Sequence, residues 1–257
     1  LVLVNILKIG GSVITNKDVE YSLKISEVYR IAYEISKAYK YCTKHMILIH
    51  GGGSFGHSTV IEHGNVEKPY SIAQIIWFMK ELNMIVTDAL NAYGVPAVSF
   101  DTHAIFYRDF DGDLKCFYKP LEKALKKDIV VVLFGDIIFG DRDAEILSGD
   151  EIAWKLSTIF KPSRILFATD VDGVYDRNPE EPGSRLLEVV RISEVGSVDM
   201  ESRKKVDVTG GMKAKILHGL RYWNSELREV LIFNGLKKDF IFKALCGESV
   251  LGSRVVL

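Results

Sequence analysis

Three lysines stand beside glycine pairs, and that company is what makes them candidates for chemistry. Lys8 closes an apolar run and is followed by Ile9-Gly10-Gly11-Ser12. A cation at a strand end, next to a Gly-Gly turn that bares backbone N–H groups, suits an anion such as a phosphate. The same residues also fit a tight turn with a solvated lysine. Lys213 and Lys215 follow Thr209-Gly210-Gly211-Met212. Thr209 is a plausible N-cap, so both lysines fall in the first turns of a helix, where the macrodipole disfavours cations. An anionic ligand, held by the helix start and the lysines together, would account for the violation.

A third glycine cluster is His50-Gly51-Gly52-Gly53-Ser54-Phe55-Gly56-His57. Three successive glycines let backbone approach a phosphate closely, and His57 ends the cluster where it can add a donor. Residues 51, 53 and 56 also satisfy G-x-G-x-x-G, but the acidic residue expected about 20 positions later is missing from Ser71 to Phe78. A nicotinamide-dinucleotide site is therefore the weaker enzyme reading. Ser148-Gly149-Asp150-Glu151 has capping-box spacing for Ser148 and Glu151. Asp150 is left either to favour the helix dipole or to orient cationic groups. Thr169-Asp170-Val171-Asp172-Gly173-Val174-Tyr175 suits the rim of a nucleotide site, or an ordinary Asp-Gly turn. Walker-type and protein-kinase phosphate motifs are absent.

The elements that must position these groups alternate. Strands are predicted over Val2–Ile9, Met46–Ile49, Ala97–Phe100, Ile129–Phe134, Arg164–Ala168 and Val230–Phe233, with a hairpin over Phe110–Phe117 around Asp111-Gly112. Helices are predicted over Ile25–Tyr41, Ile72–Leu90, Ile152–Phe160, Lys213–Trp223 and Phe240–Leu245. Residues 176–188 form a polar excursion. Alternating β and α elements imply an α/β fold with a mostly parallel sheet covered on both faces. Ligands in such sheets bind at the carboxyl ends of the strands, where Gly10-Gly11, Gly51–Gly53, Gly135 and Gly173 collect.

Composition is that of an ordinary globular chain: 257 residues, 47% hydrophobic, 26% charged, net charge −1. A nucleic-acid binder would need a basic face. The three cysteines, Cys42, Cys116 and Cys246, are odd in number and far apart. Neither a zinc site nor a disulfide framework is indicated, and a reducing, cytoplasmic setting is expected. Apolar runs are too short to span a bilayer, and Leu1 to Ile9 reads as a strand rather than a signal peptide.

Taken in order over nearly the whole chain, the five motifs resemble the amino-acid-kinase superfamily, which includes acetylglutamate kinase, aspartokinase, glutamate 5-kinase, uridylate kinase and isopentenyl phosphate kinase. The resemblance implies an open αβα sandwich spanning 1–257 as a single domain. Its N-terminal half (about 1–145) would bind the acceptor and its C-terminal half (about 146–257) the nucleotide. Gly-Gly-Gly-Ser-Phe-Gly-His is similar to the isopentenyl phosphate kinase branch, whose histidine contacts the acceptor phosphate and falls on His57. That branch implies ATP, Mg²⁺, isopentenyl phosphate as acceptor, a homodimer and a place in isoprenoid (mevalonate-pathway) biosynthesis. Carried onto these positions, Lys8 and Lys215 grip the transferring group and Asp150 holds both lysines. Gly10, Gly11, Ser12 and Lys17 contact the nucleotide's terminal phosphates. Gly52, Gly53, His57, Gly135 and Asp136 hold the acceptor phosphate. Thr169, Asp170, Asp172, Gly173, Tyr175, Gly211 and Lys213 line the nucleotide site. Phe134 departs from the pattern, since many members carry histidine there. Fosfomycin kinase, a uridylate-kinase-like enzyme, and an anion-binding module without turnover are the competing readings.

The stretch after Pro69 adds an expectation about the acceptor's tail. Ile72, Ile75, Ile76, Met79 and Leu82 recur at helical spacing, and Trp77 and Phe78 widen the stripe. A helix that only covers a sheet needs one stripe. Ile76 and Met79 are therefore assigned to an apolar pocket for a short tail.

Overall fold

The computed structural model describes residues 4–16, 19–56, 68–196 and 210–257. In chain order the strands are β1 (Asn5–Ile9), β2 (Met46–His50), β3 (Ala97–Ser99), β4 (Phe106–Arg108), β5 (Leu114–Cys116), β6 (Val130–Phe134), β7 (Asp136–Phe139), β8 (Ala144–Leu147), β9 (Arg164–Thr169), β10 (Val189–Arg191), β11 (Glu229–Asn234) and β12 (Gly252–Val256). The helices are α1 (Gly11–Ile14), α2 (Ile25–Tyr41), α3 (Pro69–Ala92), α4 (Thr102–Ile105), α5 (Lys119–Leu125), α6 (Gly149–Phe160), α7 (Ile192–Gly196), α8 (Gly210–Tyr222) and α9 (Phe240–Cys246).

Eight strands form the main sheet in the order β10-β12-β11-β9-β1-β2-β6-β3. Every pairing in it is parallel except β11–β12. Period-two alternation sorts the strand side chains onto two faces. Ile6, Ile47, Ile49, Leu133, Ile165 and Phe167 pack with α6 and α8. Leu7, Ile9, Leu48, Val132 and Leu166 pack with α2, α3 and α9. Burying one such side chain contributes about 1.5–3 kcal/mol, so each strand's register is firmly set. The alternation also decides where Lys8 points: it shares the face of Ile6, toward α6 and α8.

α3 starts on Pro69 at its N-terminus, the position where proline's missing N–H costs nothing. It stops before Gly94, which adopts φ +76°. The polar excursion at 176–188 contains neither helix nor strand, as expected.

Three expectations need correction. The hairpin pairs Phe106 with Cys116 and Arg108 with Leu114, so its strands start earlier and Phe110 lies in the turn. The turn is wide because Asp109 accepts the Asp113 N–H through its carboxylate and Gly112 closes it at φ +83°. A second hairpin, β7–β8, stands where the sequence pattern announces none. Cys42 and Cys246, expected to be unpaired, form a disulfide across 204 residues with Cα atoms 5.2 Å apart. The side-by-side packing of α2 and α9 brings their C-terminal ends together.

Candidate active site

The order β9-β1-β2-β6 sets four strand ends side by side on one edge of the sheet. Each is followed by one of the glycine-bearing turns. The turns are in close backbone contact. A Cβ on Gly11 would lie 2.1 Å from the Gly53 nitrogen, and one on Gly51 would lie 2.9 Å from the Gly11 nitrogen. Gly53 itself takes φ +50°, a conformation that favours glycine. Ser54 N–H donates to Thr15 Oγ1 at 3.0 Å and Gly51 N–H to Ile9 O at 2.9 Å, which pins the second turn onto the first. No hydrogen bond among the described residues engages the N–H groups of Gly52 and Gly53.

At this junction stands a three-residue ionic cluster. Lys8 Nζ donates to Asp150 Oδ1 at 2.7 Å, and Lys215 Nζ reaches Oδ1 and Oδ2 at 2.8 Å each. Lys8 and Lys215 are buried at 7% and 6% exposure. One carboxylate therefore serves two ammonium groups, and the cluster carries one net positive charge. Burial pulls the Asp150 carboxyl up, but Lys8 and Lys215 outweigh it and hold it well below the usual carboxylate range. Burial and the neighbouring Lys8 lower Lys215 to about 8, against the pull of Asp150. A buried pair of cations with one counter-charge is an arrangement that an incoming anion relieves.

Each member is held from behind. Asp150 sits in the first turn of α6, whose N-cap Ser148 accepts the Glu151 N–H at 3.1 Å. Gly149 keeps the way clear: a Cβ there would meet the Lys8 Cε at 3.3 Å. The Trp154 indole N–H donates to the Lys215 carbonyl at 2.7 Å and fixes α8 on α6. The Lys215 ammonium also lies 4.9 Å from the centre of the Phe167 ring. Placing two lysines early in α8 is thus explained for Lys215. Lys213 is half-buried and has no hydrogen bond or ion pair among the described residues.

Other candidates are placed as follows. Gly10, Gly11 and Ser12 lie at the start of α1, with Gly10 N–H on Ala168 O at 2.8 Å. Gly135 donates to His50 O at 3.0 Å and so borders the glycine cluster. Asp136 is buried and turned to His103 Nδ1 at 2.7 Å; its other oxygen has no hydrogen-bond partner among the described residues. Burial raises its carboxyl, and His103 offsets part of that. It braces α4 rather than presenting a carboxylate to open space. The Thr169 hydroxyl donates to Val171 O at 2.9 Å, and Asp172 pairs with Lys237 and Asn234. These two side chains shape their turn. A Cβ on Gly173 would fall 2.4 Å from Ser253 Oγ, so glycine is needed where the turn crosses β12. Tyr175 bridges to Leu186 and is half-buried, as is Asp170. Gly211 is exposed at the start of α8. Lys17 and His57 lie outside the described residues.

The apolar wall is a separate small cluster: Ile75, Met79, Phe134 and Ile137, with Ile72, Ile76 and Ala144 against it. Met79 is buried, and its sulfur would lie 2.9 Å from a Cβ on Gly52. The helix face assigned to the tail therefore abuts the glycine turn. Trp77 is 60% exposed and takes no part. Phe134 is fully buried and its ring stacks on His50 at 5.8 Å. Its aromatic face lines this wall where a histidine was expected. The Asn83 side-chain amide donates to His50 Nε2 at 3.0 Å, and burial lowers the His50 imidazole to about 4, so it stays neutral.

The profile of the amino acid kinase family matches residues 4–234. The isopentenyl phosphate kinase of Methanocaldococcus jannaschii is 36% identical over 262 residues, covering 96% of this chain and 96% of that protein. That of Methanothermobacter thermautotrophicus is 35% identical over 270 residues, covering 97% and 98%. An isopentenyl phosphate kinase solved by X-ray crystallography superposes with a TM-score of 0.83 at 33% identity, covering 98% of this chain and 100% of that one.

Proposed function

The chain belongs to the amino acid kinase family, and within it we infer an isopentenyl phosphate kinase that transfers the terminal phosphoryl group of ATP to isopentenyl phosphate, forming isopentenyl diphosphate. The observation that carries this reading is the Lys8–Asp150–Lys215 cluster at the junction of two glycine turns.

Phosphoryl transfer asks a protein for positioning and charge neutralisation more than for covalent chemistry. Lys8 and Lys215 hold the transferring group from two sides, with Asp150 fixing both. Gly10, Gly11, Ser12 and Lys17 hold the nucleotide's terminal phosphates. The turn from Thr169 to Tyr175 lines the nucleotide with Gly211 and Lys213. Gly52, Gly53 and His57 hold the acceptor phosphate beside Gly135. The acceptor oxygen needs no general base, because a phosphate monoester with a second pKa of about 6 is already dianionic at neutral pH. Neutral, buried His50 fits that account: it is structural.

Among the described residues no group of three His, Cys, Asp or Glu side chains could hold a metal ion. Asp150 is occupied by two lysines. These donors suit Mg²⁺ that arrives on ATP, kept by phosphate oxygens and water rather than by a protein cage. Bound there, it would neutralise phosphate charge. We place the enzyme in the cytoplasm, and the Cys42–Cys246 bridge departs from the reducing setting expected there. Among the described residues no helix is long and apolar enough to cross a membrane. A homodimer fits the stripe of Tyr70, Trp77 and Met84 along α3, each at least 60% exposed. The acceptor half and nucleotide half meet at the cluster, β1 and β2 on one side and β9 with α8 on the other.

The deciding test is ADP release with ATP and isopentenyl phosphate, compared with uridylate, fosfomycin and no acceptor. Turnover with isopentenyl phosphate well above the others is expected. Binding without ADP release would instead make the chain an anion-binding module.

The tail wall gives a second expectation. Full burial of a five-carbon tail is worth roughly 3–4 kcal/mol at about 0.8 per CH₂, and Ile76 and Met79 limit its length. Ile76→Ala or Met79→Ala is expected to raise kcat/KM for geranyl phosphate relative to isopentenyl phosphate, with little change in the ATP KM. An unchanged chain-length preference in both variants would move the tail pocket elsewhere.

A further inference from the structure

Glu151 does something its spacing does not explain. In a full capping box its carboxylate would return to the Ser148 N–H. Here the carboxylate turns away. It accepts from the Arg108 guanidinium at 3.1 Å on one oxygen and 3.2 Å on the other. The Tyr222 hydroxyl donates to it at 2.9 Å. Arg108 comes from β4, and it also binds Glu145 of β8 and the Gly112 carbonyl in the hairpin turn. Side-chain exposure is only 17% for Arg108 and 12% for Glu151. Beside them, Arg221 of α8 donates to Gly112 O at 2.9 Å and pairs with Asp113 at 2.7 Å.

Three elements are thereby tied at one point. The β4–β5 hairpin, α6 and α8 meet there, and the point is one residue from Asp150. Tyr222 and Lys215 ride on the same helix. We propose that Arg108 and Glu151 are a positioning pair for phosphoryl transfer, locking α6 and α8 so that Asp150 presents Lys8 and Lys215 in one fixed geometry. The inference rests on the kinase reading of the site.

Two physical features give the pair its effect. The two-oxygen contact fixes orientation as well as distance, which a lysine point charge does not. Arg108 also neutralises a nearly buried carboxylate next to the phosphate site. Without it, Glu151 would stand unpaired beside Asp150 and would repel an incoming phosphate while competing for its lysines. His218 also faces Glu151 from α8, and burial lowers its imidazole.

The experiment is steady-state kinetics on Arg108→Met, Arg108→Lys, Glu151→Gln and the Arg108→Met/Glu151→Gln double variant, with melting temperatures on the same samples. Arg108→Met is expected to lower kcat about tenfold or more, a factor worth about 1.4 kcal/mol, with the ATP KM within about twofold. Arg108→Lys should recover part of the loss. The double variant should lose no more than Arg108→Met alone, because both changes break one contact. Should Arg108→Met not fold, Glu151→Gln carries the same expectation. A lowered melting temperature with kcat per folded enzyme unchanged in these variants overturns the proposal, since a purely structural pair would behave that way. If the wild-type protein does not turn over isopentenyl phosphate, the kinase reading falls and this inference with it. If it does and the variants keep kcat, the positioning pair alone is wrong.

Discussion

Replacing Lys215 with methionine is expected to lower kcat with isopentenyl phosphate by about 10²–10³, the scale seen when one preorganised charge-stabilising donor is removed from an active site. The ATP KM should change far less. Lys215 is 6% exposed and bonded to both Asp150 oxygens, so its ammonium is already aimed when substrates arrive. Interactions realised mainly in the transition state show in kcat, while uniform binding shows in KM. Asp150→Asn separates positioning from charge in the same cluster. It leaves two buried ammonium groups with no counter-charge, so it too should lower kcat more than either KM. If Asp150 only helped the α6 start, the variant would lose modest stability and keep its rate per folded molecule.

Linkage gives the same cluster a pH signature. The folded Asp150 carboxyl lies below its ordinary 3.8, so it contributes stability that is present above that value and lost as pH falls through the folded pKa. Lys215 works in the opposite sense. Its folded pKa is about 8 against an ordinary 10.5, so the folded state carries a penalty below about 8 that is relieved as pH rises toward 10.5. Asp150→Asn should therefore flatten the acid limb and deepen the neutral-pH penalty. Denaturant titrations at pH 3, 7 and 9 on both proteins would read this directly.

Two of the cluster's three members are legible in the amino-acid order alone. Lys8 with Gly10-Gly11, and Gly51 to Gly53, stand at the ends of apolar runs, and a parallel sheet puts such ends on one edge. Lys215 announces itself as a cation where the helix dipole opposes one. Its partner does not: Asp150 is 65 residues away, and nothing in the spacing pairs them apart from the family resemblance. Arg108 and Glu151 are hidden for a different reason. They are 43 residues apart, and the capping box gives Glu151 a sufficient local account. Only the carboxylate's direction shows that account to be incomplete. The β7–β8 hairpin is masked because it starts one residue after Gly135, so its first strand merges with the apolar run of β6. Trp77 goes the other way: periodicity puts it near the ligand, yet packing turns it to solvent.

Reduction, or the double change Cys42→Ser and Cys246→Ser, is expected to lower the melting temperature substantially without slowing the enzyme. The bridge spans 204 residues, most of the chain, and in the chain-entropy account a loop of that size restricts the unfolded state by about 5 kcal/mol. At roughly 2–4 °C per kcal/mol for a chain of this size, the shift is about 10–20 °C. The rate should survive for a topological reason. Cys42 ends α2 just before β2 begins, so the bridge sits at the start of that strand, while the glycine turns sit at its end. A staple at the opposite edge of the sheet constrains unfolding and leaves the Lys8–Asp150–Lys215 geometry alone. Cys116 supplies an internal control. Burial pushes its thiol up to about 12, which keeps it unreactive in the folded protein. Thiol titration of the denatured protein should therefore find one reactive group before reduction and, of the chain's 3 cysteines, all of them after it. Three thiols without reductant would show the pair unbridged, and the reductant-dependent melting shift would vanish with it.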